Sequence, residues 1–517
     1  MTEPILESPG ALTGLSRVLK NVLMNWAGYL ATILIGFFLS PFVVHHLGNA
    51  LYGVWSLIVS LTGYLGLLDL GVRGAVTRYV ARFHTQGSDV DSSKIISSAL
   101  AVFTVAGLLA TAISIGLAFF VVDRLRIPHE LLFSARVVVC LAGITVASSL
   151  VGGVFGGVVA GLQRFELTNA AETGVSVGRA ISIVLALRWG KGIITLGILQ
   201  LLFSVAAGLV NLWISFKLYP KLQIGISRLS REHLRMIFSF GIYSFLLQAF
   251  VYLILYTDAV VIAAFLPVTM VTFFAIAENL ISYSRRLVGG MSMPMTPLAS
   301  QLEARGDHAE LRQVIVNWSR YATSLGLAIG ITFLIRGSTF IGLWMGPAYT
   351  SLSGRVLSVL TIGLISMASF SVPWAVSFGL ERHRTLVPVY LIVAVANVGL
   401  SIALIKPLGI VGVAWGTVVP ELLVAVFFWP WYLQKILRIP AWQFITQVWG
   451  RALGPMLPFA LCTYGIERTW SARNVYVFFG QVGLAMLVGL CGFWFACVSK
   501  EDRRSYLGSL KTLLGRV

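Results

Sequence analysis

Charge is scarce in this chain of 517 residues: only 11% are Asp, Glu, Lys or Arg, against roughly 25% in soluble domains. Acids are the scarcer sign, 20 Asp and Glu beside 38 Lys and Arg. With 57% of residues hydrophobic and no long polar stretch between the apolar runs, a soluble fold is excluded. Cysteine is sparse too. Cys140, Cys462, Cys491 and Cys497 stand in apolar segments without Cys-X-X-Cys spacing, which argues against disulfides and thiolate metal sites. The adjacent His45 and His46 point different ways on a helix and lack further ligands, so no metal is expected. No P-loop is present, and no nucleophile stands beside an oriented base, so neither ATP-driven transport nor an enzyme is expected. The N-terminal "MTEPILESPGALTGLSR" is acidic then polar, and no removable signal is expected from it.

What the sequence does contain is long apolar runs. Segments of about 20 residues, the length that crosses a hydrocarbon core of roughly 30 Å, recur from near Val22 to near Val498. The fold class is therefore all-α integral membrane, with about 14 transmembrane helices. Their centres fall near Ile33, Val59, Ala110, Ala147, Ser182 and Ser204, then Ala249, Leu280, Ala328, Met367, Ala396 and Leu422, and finally Pro458 and Ala485.

The net charge of +18 would suggest nucleic acid in a soluble protein. Here its distribution gives another cause, and no nucleic acid is expected. With the N-terminus cytoplasmic, about 27 of the 38 Lys and Arg fall in cytoplasmic loops and tails, about 10 outside, and Arg179 in mid-span, as the positive-inside rule requires. An even span number returns the C-terminus to the cytoplasm, where the basic "KEDRRSYLGSLKTLLGRV" lies in water or against anionic lipid.

A repeat is legible. A shift of 219 positions, 290 minus 71, lays Leu47 on Leu266, Gly71 on Gly290, Gly87 on Gly306, Asp91 on Glu310 and Arg136 on Arg355. At 218, "GLQR" from Gly161 lands on "GLER" from Gly379. Six spans separate the copies, an even number, so they run parallel and form two six-helix lobes, an arrangement typical of transporters with a cleft between the halves. Spans 13 and 14 are an addition. The expected organisation is a cytoplasmic tail over 1–20, an N-lobe over 21–220, a linker over 221–235, a C-lobe over 236–434, the extra spans over 435–498 and a basic tail over 499–517.

Charges inside spans are the candidate functional groups, since each left in lipid costs roughly 3 kcal/mol or more. Asp69 and Arg73, four residues apart, can pair on a helix. Arg78 and Arg82 precede a polar loop and read as surface anchors. Span 8, "TFFAIAENLISYSRRLVGG", carries Glu278 and Arg285 on one stripe with Arg286 beside it, the least surface-like charges in the chain. Span 5 sets Glu172, Ser176 and Arg179 on one face, and span 12 adds Glu421. Span 7 aligns Ser244, Gln248, Tyr252 and Tyr256 at four-residue steps, a stripe suited to sugar rings or to an interfacial belt, with Asp258 following. Asn25 in span 1 occupies the place of Ser244. The glycines of "VGGVFGGVVAG" read as a close helix-packing surface. Arginine shapes a bidentate phosphate site, so the expected cargo is anionic. Arg285, Arg286, Arg73 and Arg179 are its candidate ligands. Glu278, Asp69 and Asp258 are candidates for ion coupling, and Gln248, Tyr252, Tyr256 and Asn25 for sugar contact.

The stretch "SPFVVHHLGNALYGVWSLIVSLTGYLGLLDLGVRGAVTRYVARF", with "FIGLWMGPAY" and "GIVGVAWGT" further on, resembles the polysaccharide-transporter branch of the multidrug/oligosaccharidyl-lipid/polysaccharide exporter superfamily, in order along nearly the whole chain. The resemblance implies a flippase of the bacterial inner membrane that carries undecaprenyl-pyrophosphate-linked O-antigen or exopolysaccharide units to the periplasmic leaflet by alternating access. It implies no cofactor beyond a coupling proton or sodium ion or the membrane potential. A polysaccharide polymerase and a chain-length regulator are the candidate protein partners. Lipid II flippases of the superfamily place arginines on spans 1, 2 and 8. Here spans 2 and 8 match through Arg73 and Arg285 or Arg286, while span 1 has Asn25 and no arginine in its core. The alternatives are therefore a lipid II flippase, a multidrug or cation antiporter of the same superfold, and a membrane glycan polymerase or ligase, which would need a larger outer loop.

Overall fold

A chain that crosses lipid must satisfy its backbone polar groups internally, and a helix does this within one segment. The computed structural model describes residues 9–239 and 242–497, and among them no strand occurs. Helix α1 runs Pro9–Gly63 and bends at Gly48, where φ is 75°. It begins within the stretch expected as a tail. There follow α2 (Val72–Thr85), α3 (Asp89–Phe120), α4 (His129–Gly161), α5 (Phe165–Arg188), α6 (Ile193–Leu218), the short α7 (Arg231–Ser239) and α8 (Ile242–Phe265). Then come α9 (Thr269–Ser292), α10 (Met295–Ala304), α11 (His308–Met345), α12 (Thr350–Gly379), α13 (Leu386–Leu408), α14 (Ile410–Leu423), α15 (Trp429–Lys435), α16 (Ala441–Phe444), α17 (Arg451–Thr469) and α18 (Val475–Ala496).

Among the described residues, eleven helical segments are long and apolar enough to cross a membrane. The first of these, Leu30–Thr85, holds both of the first two expected span centres, one on each side of the Gly48 bend. Helix α9 falls short because of its three charges, Glu278, Arg285 and Arg286, and α17 because Arg451, Glu467, Arg468 and two prolines share its 19 residues. All 14 expected centres lie in helix.

The chain divides into two compact units, Met1–Tyr256 with Pro267–Thr269, and Thr257–Leu266 with Met270–Val517. The division runs through α8, beyond the connection expected over 221–235. In the first unit α2, α3 and α4 enclose a core that includes Val76, Ile95, Phe103 and Val154, and α7 closes one end with the fully buried Ile237. In the second, α11 and α12 pack together while α17 and α18 lie against α11 through Leu327, Met456, Phe459 and Ala485.

Each unit repeats the other's local devices. Gly87 and Gly306, 219 apart, end helices with φ of 69° and 71°, a left-handed conformation that glycine adopts without steric cost. The next residue in each case caps a helix. Ser88 Oγ accepts from Asp91 N at 3.4 Å and Asp307 Oδ1 from Glu310 N at 3.0 Å, satisfying an amide that would otherwise lack a partner. At a shift of 218, Gln163 and Glu381 both take left-handed φ, 58° and 55°. A Cβ on Gly161 would stand 2.9 Å from the Thr77 carbonyl oxygen, and one on Gly379 would overlap the Thr296 carbonyl oxygen. The glycine-rich face of α4 is a packing surface as expected: a Cβ on Gly152 would stand 2.7 Å from Gly208 Cα.

Candidate functional site

In the first unit the site begins where helix fails. Tyr64–Asp69 is a 3-10 turn ended by Leu70 and Gly71 in left-handed conformation, φ 49° and 76°. Asp69 and Arg73 are therefore not two points on one continuous helix, as their spacing suggested. They meet across the break, with Arg73 Nε 3.6 Å from Asp69 Oδ2 and the Arg73 amide 3.5 Å from Oδ1. An acid before the start of α2 also faces the positive end of that helix. Arg73 is 46% exposed along its side chain, and its guanidinium lies flat on α4, where a Cβ at Gly153 would stand 2.5 Å from Nη2 and 2.9 Å from Cζ. Gly153 thus makes room for the arginine, a role its place among packing glycines concealed. Glu172 on α5 lies within electrostatic reach of Arg73. Arg179, on the face it shares with Glu172, donates from Nη1 to a neutral group, Gln200 Oε1, at 3.0 Å. Arg78 and Arg82 are exposed.

The α8 stripe also packs in this unit. The Tyr252 and Tyr256 rings stand 5.4 Å apart edge to face, and Tyr256 meets Tyr64 at 5.8 Å. They lie on bare backbone, since a Cβ at Gly63 would fall 2.5 Å from the Tyr256 ring and one at Gly66 would fall 3.2 Å from that of Tyr252. Gln248 is exposed. Asn25 lies outside the residues whose side chains are described.

In the second unit, α9 carries Glu278 and Arg285 two turns apart. Arg285 Nη1 donates to Glu278 Oε1 at 3.0 Å and Nη2 to Oε2 at 3.5 Å, a bidentate pair with a quarter or less of either side chain exposed. The charges of Glu421 and Asp258 also reach Arg285. Glu421 sits against α12, where a Cβ at Gly363 would stand 2.9 Å from its Oε2. One carboxylate thus pairs with the guanidinium, and two more lie within its electrostatic reach. Arg286, the next residue, is exposed, and no ion pair to it is found among the described residues.

Asp258 is 5% exposed and accepts from Thr417 Oγ1 at 2.9 and 3.1 Å. Asn397, fully buried, donates from Nδ2 to Thr417 Oγ1 at 2.8 Å and leaves its own Oδ1 without a partner among the described residues. The Val413 carbonyl lies beside them, 3.4 Å from the hydroxyls of Thr417 and Ser401. These oxygens come from α8, α13 and α14, and no sequence motif marks their meeting.

The buried Arg336 of α11 also escaped the sequence reading, which counted it among the outer charges. It is fully buried, donates from Nε to Glu467 Oε2 at 2.7 Å and stacks 4.5 Å from the Phe478 ring. It binds α11 to α17 and α18, and the same arrangement gives it a structural part rather than a transport one.

Residues 18–303 match the family described as polysaccharide biosynthesis protein. The chain belongs to that family. Among its relatives is a candidate O-antigen transporter of Shigella flexneri, 19% identical over 77% of this chain and 93% of the relative. Among solved structures, the lipid II flippase MurJ in an inward closed conformation is similar with a TM-score of 0.71 at 13% identity, over 92% of this chain and 98% of that one. An inward-facing multidrug resistance MATE transporter of the MOP superfamily is similar at 0.68 and 16% identity, over 80% of this chain and 95% of that one. The fold of this family member is therefore that of the exporter superfamily. Fold alone does not choose the cargo, because the two structures have names with unlike cargoes.

Proposed function

We propose that the chain is a flippase moving undecaprenyl-pyrophosphate-linked oligosaccharide, an O-antigen or exopolysaccharide unit, from the cytoplasmic to the periplasmic leaflet of the bacterial inner membrane. The observation that carries this reading is the set of guanidinium groups held within or beside the spans: Arg73 on Gly153, Arg285 on Glu278, and the exposed Arg286. A guanidinium offers a phosphate two parallel hydrogen bonds. Glu278 is the resting counter-charge of Arg285, and a pyrophosphate of higher charge displaces it. Family membership supports a glycan as the rest of the cargo, and the polyprenyl tail stays in lipid.

Coupling falls to Asp258. A buried carboxylate accepts from the Thr417 hydroxyl there and the Val413 carbonyl lies beside that hydroxyl, so hard oxygen donors stand around a single negative charge, which suits a monovalent cation. Sodium fits the set, and proton uptake by Asp258 is the other outcome of the test. In a strain lacking its own exporter, the wild-type chain restores surface polysaccharide, whereas Arg286→Ala with Arg285→Ala inserts but leaves lipid-linked intermediates on the cytoplasmic side. Undiminished surface polysaccharide contradicts the reading.

One observation favours a second reading. The carboxylates of Asp258, Glu278 and Glu421, all within electrostatic reach of Arg285, also fit a cation antiporter. Resistance to cationic drugs conferred by the wild-type chain and lost in Glu421→Gln, with polysaccharide unaffected, would select it.

A further inference from the structure

At the end of the second unit where α10 gives way to α11, α12 to α13, and α15 to α16, a cavity of about 160 Å³ is lined by Glu303, His308, Arg312, Arg382 and Arg438, with leucines at its floor. The three junctions lie on one side of the membrane by alternation of the spans. Glu303 is already engaged twice, accepting from Arg382 Nη2 at 3.0 Å and standing 3.3 Å from His308 Nδ1. Arg382 is further fixed by donating from Nη1 to the Ile436 carbonyl at 2.5 Å. Arg312 and Arg438 are exposed, and no ion pair to either is found among the described residues. The cavity's one acid is thus neutralised, and two guanidinium groups remain to face it.

The backbone fixes the place of Arg438. Arg438 holds φ at 56°, a left-handed conformation in which a side chain with a Cβ is uncommon and glycine is the easy occupant. Like Gln163 and Glu381 it follows the end of a helix, with the next amide, that of Ile439, donating back to the Leu433 carbonyl at 2.8 Å, and this turn sets where its side chain leaves the chain. The repeat supplies a contrast: the counterpart of Arg312 in the first unit is Ser93 (312 − 219), which is buried and accepts from the Gln223 amide at 3.2 Å. The first unit closes this position with an internal hydrogen bond, while the second leaves an arginine at it.

We propose that this cavity binds a phosphate group at the membrane surface, held by Arg312 and Arg438 with Arg382 behind them. Phosphate suits two forked donors in a small polar cavity. Its source is either an anionic lipid headgroup or a water-soluble phosphate compound. The site is separate from Arg73, Arg285 and Arg286 and stands whether or not the transport reading does.

The test uses the full chain in detergent and in nanodiscs, as wild type, Arg438→Gly, Arg312→Gln and the double variant. Arg438→Gly relieves the left-handed strain, so it folds while losing its guanidinium. Pyrophosphate titrated calorimetrically is one probe, and retained phosphatidylglycerol against phosphatidylcholine, counted by native mass spectrometry, is the other. The double variant is expected to lose affinity for at least one probe by about tenfold or more, as the loss of hydrogen bonds to a charged group predicts. Arg312→Lys, which keeps charge but not the fork, is expected to lose less. Loss confined to phosphatidylglycerol assigns the phosphate to lipid, and loss confined to pyrophosphate assigns it to a soluble compound. Equal binding of both probes by wild type and double variant overturns the proposal.

Discussion

Arg285 and Glu278, seven residues apart on one helix, hold each other through nitrogen–oxygen contacts of 3.0 and 3.5 Å. An ion pair so placed makes each partner tolerable in an apolar span, and removing one strands the other. Arg285→Ala is expected to destabilise the protein by about 3 kcal/mol, since an uncompensated charge is left behind. Glu278→Ala with Arg285→Ala should recover much of that stability in thermal unfolding while transport stays lost. Restored transport in the double variant would make the pair structural only.

Asp258 and Thr417 carry the coupling prediction. Thr417→Val removes one hydrogen bond to a charged group, a loss of about tenfold in cation affinity. Asp258→Asn keeps the shape and removes the charge. Transport by Asp258→Asn should lose its dependence on a sodium gradient, and transport by Thr417→Val should need about tenfold more sodium, measured with sodium or a protonophore varied separately. Unchanged sodium dependence in Asp258→Asn contradicts this role.

Gly153 is predicted to matter through Arg73. An added methyl would stand 2.5 Å from the guanidinium, so Gly153→Ala should displace it and lower transport. Gly156→Ala is the control, because its nearest neighbour atom would be 3.7 Å away. Equal transport by the two variants would separate Arg73 from function.

His233, on the short α7 outside the spans, gives a pH prediction. It is 4% exposed, lies 5.9 Å from the Phe83 ring, and has Asp91 3.6 Å away. Burial pushes its pKa down from 6.5, against the pull of Asp91 and Glu232. A folded pKa below the unfolded one means that the unfolded chain binds the proton more readily. The contribution of His233 is therefore complete above about 6.5 and lost as pH falls through the folded value. Hydrogen exchange in α7 should accelerate below that point, and His233→Gln should flatten the response.

Much of the fold was legible because apolar length is a direct signal. All 14 span centres fall in helix, and the repeat shift found from Gly87 and Gly306 reappears as matched left-handed backbone. The site was legible only as a list. Spacing suggested Asp69 and Arg73 as a pair but not the break between them, which depends on Leu70 adopting a conformation that leucine seldom takes. Thr417 and Asn397 were missed because neutral polar residues in apolar spans are common, and the Thr417 contact with Asp258 joins residues 159 apart. Arg336 was assigned to the outer surface by its place near a span end, although its Glu467 partner lies 131 positions on.

The most direct test of the flippase reading removes Arg285 and Arg286 together, with Arg286→Ala alone as the structurally mild variant because Arg286 is exposed. Proteoliposomes would carry labelled undecaprenyl-pyrophosphate oligosaccharide in both leaflets, and the fraction reachable by an external glycosidase would be followed over time under an imposed cation gradient. Wild type is predicted to redistribute the substrate across the bilayer faster than empty liposomes, and Arg285→Ala with Arg286→Ala to match empty liposomes. Wild-type redistribution no faster than that of empty liposomes, or an equal rate in wild type and double variant, would contradict the account.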